Sequence, residues 1–325
     1  MKKRIFLFAS SSGGHIFPIM GLYEILKDDF DITFIGIKNR FEEKIFPKNS
    51  LFFDIPHSFK SLKESHDKIK FISFINEMKT LIKDEDLIIS GGGFSSYIVY
   101  KLKHKNTIIL EQNRIMGDAN MLLGLKAKKI LTNMDILFNP FFYKTKKIMS
   151  PSIFRNKIYD VKKENMIVFI FGSLSSSSLI KETVLFFLSD KINNDMTYLL
   201  VAGKYINEIK KYKFKSNIKI IEKIDDINYL KKAKLVFTRA GGTSINEFLY
   251  HNIDFIMIPS PYVKHNHQEK NAKYINKIYK VPYILEKDFT YKKIDELIKN
   301  YVGYYYYKKT NNELNYIKEL INECF

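Results

Sequence analysis

The stretch Phe237-Thr-Arg-Ala-Gly-Gly-Thr-Ser-Ile-Asn-Glu-Phe248 decides how the second half of this chain folds. The apolar run Leu235–Phe237 is typical of the end of a buried strand, and a helical pattern follows the Gly241-Gly242 pair. We therefore predict a strand, a tight turn and the N-terminus of a helix. Backbone N–H groups and the positive end of the helix dipole meet at such a turn, so it can hold a phosphate or a sugar hydroxyl. Glu247, expected in the first helical turn, could accept hydrogen bonds from a ribose diol.

A second explanation fits the same residues. Ser244 followed three positions later by Glu247 has the spacing of a capping box, which needs no ligand. The polar segment Pro261–Gln268 follows another apolar run, Phe255–Ile258. Loops at the carboxyl ends of neighbouring parallel strands form the ligand sites of open α/β sheets, and this arrangement favours a binding site. The two explanations are compatible, since a capped helix start can also hold a nucleotide.

The rest of the chain repeats the pattern of strand, small-residue loop and helix. Ile5–Phe8 leads into Ser10–His15, a helical stretch and a second apolar run at Asp31–Gly36. This βαβ opening predicts a parallel sheet with helices on both faces. We predict two doubly wound halves, residues 1–152 and 153–325, with a cleft between them and a charged last helix that crosses back onto the first half.

Composition narrows the class of protein. A chain of 325 residues suits two domains of moderate size, and 46% hydrophobic residues suffice for real cores. The single cysteine, Cys324, excludes an internal disulfide and any site built from several cysteines, so we expect a reducing cytoplasmic setting. The N-terminal apolar run, Ile5–Ala9, is too short for a signal peptide or a membrane span.

The net charge of +18 favours a polyanionic partner, such as nucleic acid, an anionic lipid surface or a phosphorylated substrate. A lysine-rich composition accounts for part of this charge. No zinc-finger, RNP or basic-zipper pattern appears, so we expect no nucleic-acid partner.

Four candidate loops follow predicted strands: Ser12–His15, Gly91–Gly93 together with Glu111–Asn113, Gly172–Ser173 and Gly241–Glu247. None has the pattern of a Walker loop or the full dinucleotide-binding fingerprint. His15 is the best acid/base candidate, because a helix N-terminus disfavours the imidazolium and keeps a neutral base. A capping or core histidine is the alternative, as a plain polar turn is for Glu111–Asn113.

These residues carry a resemblance to a known family. Gly13-Gly-His-Ile-Phe-Pro18, Glu111-Gln-Asn-Arg-Ile-Met-Gly117 with Asn120 after it, Arg239–Glu247 and His267–Ala272 resemble corresponding segments of the MurG family. That family transfers N-acetylglucosamine to the undecaprenyl-diphosphate-linked muramoyl-peptide of peptidoglycan synthesis. The chain is identified as a divergent member, because it carries serine where the family has glycine at Ser10, Ser11 and Ser175.

The resemblance implies a GT-B fold of two Rossmann-like domains and assigns the donor, UDP-N-acetylglucosamine, to the C-terminal half. The backbone near Ile224 would bind uracil and Glu247 the ribose. Gln268 and Asn271 would hold the N-acetylglucosamine. The donor diphosphate would contact Ser173, Gly241, Gly242, Thr243 and Ser244.

The resemblance assigns the polyprenyl-diphosphate-linked sugar-peptide acceptor to the N-terminal half. His15 would be the base or orienter of the acceptor 4-hydroxyl, with Asn113 nearby as the second catalytic candidate. Relatives invert the anomeric carbon without a metal bound to an Asp-x-Asp motif, so neither a metal nor a cofactor is implied. The acceptor-binding residues implied are Ser12, Gly13, Gly14, Gly92, Gly93, Glu111 and Gln112.

A lipid acceptor implies a peripheral enzyme on the cytoplasmic face of the cell membrane. Residues 60–83 form a basic stretch with helical spacing that could lie on an anionic membrane surface. An ordinary amphipathic helix on the sheet explains the same pattern. The apolar face predicted for this helix comprises Phe71, Phe74, Ile75, Met78 and Ile82.

Three other functions remain open at the level of sequence. A UDP-hexose:diacylglycerol glycosyltransferase would share the fold, and the Glu111–Asn113 segment speaks against it. A UDP-sugar 2-epimerase has a related architecture and would need further carboxylates, which we do not identify. A basic nucleic-acid-binding protein would show salt-dependent binding to DNA and no affinity for UDP.

Overall fold

The computed structural model describes residues 2–10, 12–58, 60–172, 176–224, 226–303 and 312–325. They form two compact units. Unit 1 comprises Met1–Arg155 and Thr310–Phe325, and unit 2 comprises Asn156–Lys309.

Unit 1 is built on a parallel sheet of seven strands, in the order β3-β2-β1-β4-β5-β6-β7. The order reverses between β1 and β4, so the loops that follow these two strands run to opposite faces and leave a crevice at their carboxyl ends. The strands are β1 (Arg4–Phe8), β2 (Asp31–Ile37), β3 (Leu51–Phe53), β4 (Leu87–Ser90), β5 (Thr107–Glu111), β6 (Lys129–Thr132) and β7 (Thr145–Lys147).

Helices cover both faces of this sheet, which explains why its central strands are continuous apolar runs. Successive side chains of β1 point to opposite faces, so Ile5 and Leu7 enter one core and Phe6 and Phe8 the other. The first core includes α1 (Gly13–Leu26). The second includes α2 (Ser65–Leu81), α3 (Phe94–Leu102) and α4 (Asp118–Gly124).

The stretch with the predicted membrane-binding face, residues 60–83, forms a short 3-10 turn at Ser61–Lys63 followed by α2. The apolar face of α2 is buried against the sheet and α3, so of the two explanations left open by the sequence, the ordinary amphipathic helix on the sheet describes this face. Spacing at i, i+3 and i+4 describes a core-facing helix and a membrane-facing helix equally well. The buried residues of this face are Phe71, Phe74, Ile75 and Met78, with Ile82 just beyond the helix.

Unit 2 repeats the architecture with a parallel sheet of five strands, in the order β10-β9-β8-β11-β12, and its order reverses between β8 and β11. The strands are β8 (Met166–Ile170), β9 (Thr197–Val201), β10 (Ile218–Ile221), β11 (Leu235–Thr238) and β12 (Phe255–Met257). The helices are α5 (Ser177–Leu188), α6 (Ile206–Ile209), α7 (Ile227–Lys231), α8 (Gly242–Tyr250), α9 (His267–Tyr279) and α10 (Tyr291–Lys299). The prediction of two doubly wound parallel-sheet halves is therefore confirmed.

The last helix, α11 (Glu313–Asn322), belongs to unit 1. Its apolar side chains Ile317, Leu320 and Ile321 are buried in the core that contains α1. The Lys128 ammonium donates a hydrogen bond of 2.8 Å to the carbonyl of Cys324. Unit 1 is thus assembled from both ends of the chain.

Within the described ranges, no helix combines the length and apolar character that a bilayer span requires.

We expect Ile321→Ala to lower the free energy of unfolding of unit 1 by about 2–4 kcal/mol, because it removes buried methyl groups and leaves a cavity. Hydrogen exchange of β1 amides would report this loss, whereas β8 amides in unit 2 would keep their protection. Leu314→Ala, at an exposed position of the same helix, is the matched control and should cost less than about 1 kcal/mol. Equal loss of protection in β1 and β8 would contradict the assignment of α11 to unit 1.

Candidate active site

His15 lies at the start of α1, directly after β1. Ser12 is the N-cap residue in an extended conformation, and Gly13 and Gly14 form the first helical positions. The Ser12 hydroxyl lies 3.5 Å from His15 Nδ1 and does not cap the helix backbone. The imidazole therefore stands at a helix N-terminus, where the positive end of the dipole favours its neutral form.

The Gly91–Gly93 turn after β4 lies against the His15 ring. Gly92 and Gly93 adopt φ values of +108° and +66°, which favour glycine. A Cβ atom on Gly93 would lie 2.8 Å from both Cε1 and Nδ1 of His15, and one on Gly92 would lie 3.0 Å from Cδ2. The glycines thus allow both the turn and the close approach of the imidazole. Two loops predicted separately, Ser12–His15 and Gly92–Gly93, meet where the strand order reverses.

Glu111, at the end of β5, is buried and bonds to its own loop. Its Oε1 accepts hydrogen bonds from the backbone N–H (2.9 Å) and side-chain amide (3.4 Å) of Asn113. Its Oε2 accepts from the Gly117 N–H (3.0 Å) and the Asn120 amide (2.8 Å). Burial raises the pKa of Glu111, and the bonds from Asn113, Asn120 and Gly117 oppose that rise. Both carboxylate oxygens of Glu111 are thus engaged within the loop and support its conformation. The contact of Glu111 with acceptor hydroxyls stays a prediction.

A chain of buried polar groups connects the Glu111 loop to the glycine turn. Asn120 Oδ1 accepts a hydrogen bond of 2.5 Å from the Ser96 hydroxyl, which lies 2.6 Å from the Ser90 hydroxyl. The Ser95 hydroxyl donates to the carbonyl of Gly92 at 2.6 Å. No sequence motif singles out these serines. The signal that could have found them is the pair Ser95-Ser96, which follows three glycines and Phe94 at the start of α3.

The two other members of the Glu111–Asn113 segment differ in accessibility. Gln112 is buried, so it does not present its amide to solvent. Asn113 is half-buried, and the Glu111 carboxylate fixes its backbone and side chain. Asn113 is therefore the most accessible member of the segment.

In unit 2, α8 begins at Gly242, with Gly241 as its N-cap. A Cβ atom built on Gly241 would meet no described atom within 4 Å. Space is therefore free beside Gly241 at the start of α8. Glu247 is consequently in the second helical turn, one turn later than predicted, and it is buried. The N-cap is a glycine, so Ser244 and Glu247 do not form the alternative capping box. The helix start with Thr243 remains the arrangement that can bind an anion.

Two other segments reach the same edge of the unit 2 sheet. Gln268 Oε1 accepts a hydrogen bond of 2.9 Å from the Ser260 N–H, which fixes the loop after β12. Asn271 is fully buried and donates to the carbonyl of Ala240 at 3.1 Å. Asn271 therefore supports the turn before α8. Its contact with the donor sugar stays a prediction. Ile224 is half-buried in the loop that follows β10.

The loop after β8 is described only at its ends. Gly172 leaves the strand with a φ of +79°, and Ser176 is the N-cap of α5. The predicted diphosphate contact Ser173 lies outside the described residues. Ser176 and Ser178 each donate a side-chain hydrogen bond to Glu286, which also pairs with Arg239 after β11. The start of α5, which follows β8, is thus joined to the turn after β11 at the second reversal of strand order.

His267 is a further titratable group near this edge, and its pKa is lowered chiefly by burial. Its Nδ1 lies 3.0 Å from the carbonyl of Lys264. In the parts of the chain that the structure describes, no three His, Cys, Asp or Glu side chains gather closely enough to hold a metal ion. The two helix starts and their polar loops are therefore the chemical features available at the sheet edges.

Comparison with known proteins assigns both units. The N-terminal domain of glycosyltransferase family 28 matches residues 5–132, and the C-terminal domain of that family matches residues 166–321. A protein of Lactobacillus johnsonii named UDP-N-acetylglucosamine–N-acetylmuramyl-(pentapeptide) pyrophosphoryl-undecaprenol N-acetylglucosamine transferase is 31% identical over 306 residues. That alignment covers 83% of this chain and 82% of the relative.

Solved structures support the fold. The crystal structure of MurG from Acinetobacter baumannii superposes with a TM-score of 0.68 at 18% identity and covers 99% of this chain and 94% of that one. UDP-GlcNAc 2-epimerase from Methanocaldococcus jannaschii superposes with a TM-score of 0.60 at 14% identity and covers 99% and 100%. At these identities, both likenesses concern the fold alone. Because family models match both halves and a relative at 31% identity spans most of both chains, this chain belongs to the MurG family within glycosyltransferase family 28.

Proposed function

We propose that this protein transfers N-acetylglucosamine from UDP-N-acetylglucosamine to N-acetylmuramyl-(pentapeptide) pyrophosphoryl-undecaprenol, with inversion at the anomeric carbon. This reaction is named for the relatives from Lactobacillus johnsonii and, at 28% identity over 90% of this chain, Caldicellulosiruptor saccharolyticus. The observation that carries the proposal is that these alignments span most of the chain. The matched region includes both the His15 loop of unit 1 and the α8 turn of unit 2.

Unit 2 is proposed to bind the donor. The start of α8 offers backbone N–H groups and a positive dipole end to the diphosphate, and Gly241 leaves the approach open. Glu247 would accept hydrogen bonds from the ribose hydroxyls, and the backbone at Ile224 would bind uracil. The oxygen of Gln268 bonds to the Ser260 N–H, so its amide nitrogen would contact the N-acetylglucosamine.

Unit 1 is proposed to bind the acceptor, with its diphosphate over Gly13 and Gly14 at the start of α1. Neutral His15 would accept the proton of the acceptor 4-hydroxyl as that oxygen attacks the anomeric carbon. The bond from that carbon to UDP breaks, and UDP leaves with the negative charge. The start of α8 would stabilise this charge, which develops in the transition state. Asn113, held by Glu111, would orient the acceptor sugar.

Two reactions of related proteins are the alternatives. A hexose transferase would use diacylglycerol in place of the pyrophosphoryl-undecaprenol acceptor. A 2-epimerase would convert the UDP-sugar without any acceptor, and the likeness to the solved epimerase concerns the fold alone. Labelled UDP-N-acetylglucosamine should be incubated with each lipid and with none. Label in the undecaprenol-linked product supports the proposal. Label in a diacylglycerol product, or epimerised UDP-sugar without acceptor, would overturn it.

We also propose that unit 1 docks on an anionic membrane surface through an exposed surface near the end of α4, because the acceptor lipid stays in the bilayer. Leu125, Phe142 and Tyr143 are 66%, 76% and 69% exposed. They are neighbours, since the Lys144 ammonium donates to the Ala127 carbonyl at 2.8 Å and lies 5.5 Å from the Tyr143 ring centre. Exposed aromatic and aliphatic side chains flanked by lysines are typical of an interfacial membrane contact. We expect the protein to work at the cytoplasmic face as a peripheral enzyme.

We expect Glu247→Ala to weaken UDP binding by about tenfold or more, because hydrogen bonds to a carboxylate contribute about 1.5–3 kcal/mol. Calorimetric titration of the full chain with UDP measures the effect. Glu208→Ala, at an exposed glutamate of unit 2, is the control and should keep the affinity of the unsubstituted protein. Unchanged affinity in Glu247→Ala would remove Glu247 from the donor site.

We expect His15→Ala to lower turnover by about 100-fold or more while UDP affinity is retained, because the base is lost and the donor site is not. Gly93→Ala should also lower turnover, by about 100-fold, since its φ of +66° disfavours a side chain and the new Cβ displaces the His15 ring. His66→Ala, at an exposed histidine of unit 1, is the control. If His15→Ala turns over at the rate of the unsubstituted protein, His15 has no part in catalysis.

We expect the double variant Phe142→Glu and Tyr143→Glu to reduce sedimentation with anionic vesicles by about tenfold or more, because it removes apolar area and adds negative charge. The matched control is Leu188→Glu with Tyr212→Glu, which changes two exposed apolar residues of unit 2 by the same charge. Equal losses in both double variants would indicate a general charge effect and contradict a docking surface near α4.

A further inference from the structure

We propose that Glu286 is a positioning residue for donor binding, which holds the start of α5 and the turn after β11 in the arrangement that receives the nucleotide diphosphate. The proposal rests on the proposed function, since it assumes that unit 2 binds UDP-N-acetylglucosamine. It concerns a residue outside the diphosphate, ribose and sugar contacts assigned above.

The Glu286 carboxylate joins three strand ends. Its Oε2 accepts a hydrogen bond of 2.7 Å from Arg239 Nη1, one residue beyond β11. The same Nη1 donates to the carbonyl of Ile258, just after β12, at 3.1 Å. Glu286 Oε1 accepts hydrogen bonds from the hydroxyls of Ser176 (2.9 Å) and Ser178 at the start of α5, which follows β8. One side chain therefore fixes the spacing of the loops at the reversal of strand order.

The ion pair between Arg239 and Glu286 is nearly buried, so its stability depends on well-formed hydrogen bonds. The side chains of Arg239 and Glu286 are 12% and 7% exposed. Burial works against the charge of Glu286, but the bonds from Arg239, Ser178 and Ser176 hold its pKa below the usual range, so the carboxylate is ionised at neutral pH. Removal of one partner from such a pair leaves an uncompensated buried charge, and the structure must rearrange to solvate it.

The contacts of the pair identify its role as positioning. The guanidinium charge of Arg239 is neutralised by Glu286, so Arg239 does not act as an independent cation for the diphosphate. Ser176 is the N-cap of α5, yet its hydroxyl bonds to Glu286 and not to the helix backbone. The carboxylate thus determines how the starts of α5 and α8 face each other, and those starts carry the backbone N–H groups that bind anions.

The test is calorimetric titration of the full chain with UDP. Glu286→Ala should weaken binding by about tenfold or more, because displaced loops no longer converge on the diphosphate. Glu286→Gln keeps one acceptor oxygen and should fall between Glu286→Ala and the unsubstituted protein. Glu182→Gln is the matched control, since Glu182 accepts a hydrogen bond of 3.0 Å from the Tyr291 N–H and joins α5 to α10 without touching either loop.

Steady-state kinetics and thermal unfolding separate positioning from stability. Positioning predicts a raised KM for UDP-N-acetylglucosamine in Glu286→Gln with a smaller change in kcat. A lowered Tm with unchanged UDP affinity in both Glu286 variants would overturn the proposal and leave the proposed function intact. Tighter UDP binding would also overturn it, since the carboxylate would then compete with the donor. If Glu286→Ala does not fold, Glu286→Gln and Ser178→Ala carry the test. Absence of UDP binding in the unsubstituted protein would reject both the positioning role and the proposed function.

Discussion

The reversal of strand order within each parallel sheet is the constraint on which the rest of this structure depends. Between β1 and β4, and again between β8 and β11, successive connections run to opposite faces, so the loops at those strand ends separate and leave space. A helix starts at the edge of each space, α1 in one unit and α8 in the other. Both starts are glycine-rich, which exposes backbone N–H groups and lets a neighbouring group approach. The topology thus places a helix start of the kind that can bind an anion at each reversal of strand order.

Several side chains predicted to contact ligands also stabilise the loops that carry them. Glu111 accepts four hydrogen bonds from its own loop and from Asn120, and Asn271 bonds to the Ala240 carbonyl from a fully buried position. Glu286 connects loops in the same way. The hydrogen bonds of such buried groups are satisfied within the protein, so they stabilise the backbone of the loops. The accessible groups proposed for chemistry are then few, chiefly His15 and Asn113.

The sequence was sufficient to predict the two sheets and the position of the His15 and Gly91–Gly93 loops at strand ends, because apolar runs followed by glycine loops indicate both strands and their ends. It did not predict that the His15 ring lies against Gly92 and Gly93. It did not predict the burial of Glu111, since a Glu-Gln-Asn triplet has the composition of an exposed turn. The bond between Arg239 and Glu286 spans 47 positions, and no local pattern signals it. The apolar face of α2 was open to two explanations because core and lipid select the same spacing. These misses are all tertiary contacts, which composition and periodicity do not encode.

The placement of α11 in unit 1 has a consequence for how the molecule is made. Unit 1 needs the last residues of the chain to complete the core around Ile317 and Ile321, whereas all of unit 2 lies between its two segments. During synthesis on the ribosome, unit 2 can therefore complete its core before α11 of unit 1 has been made. A chain that stops short of residue 313 would carry a complete unit 2 and a unit 1 with an exposed apolar groove, which would make unit 1 a target for proteolysis.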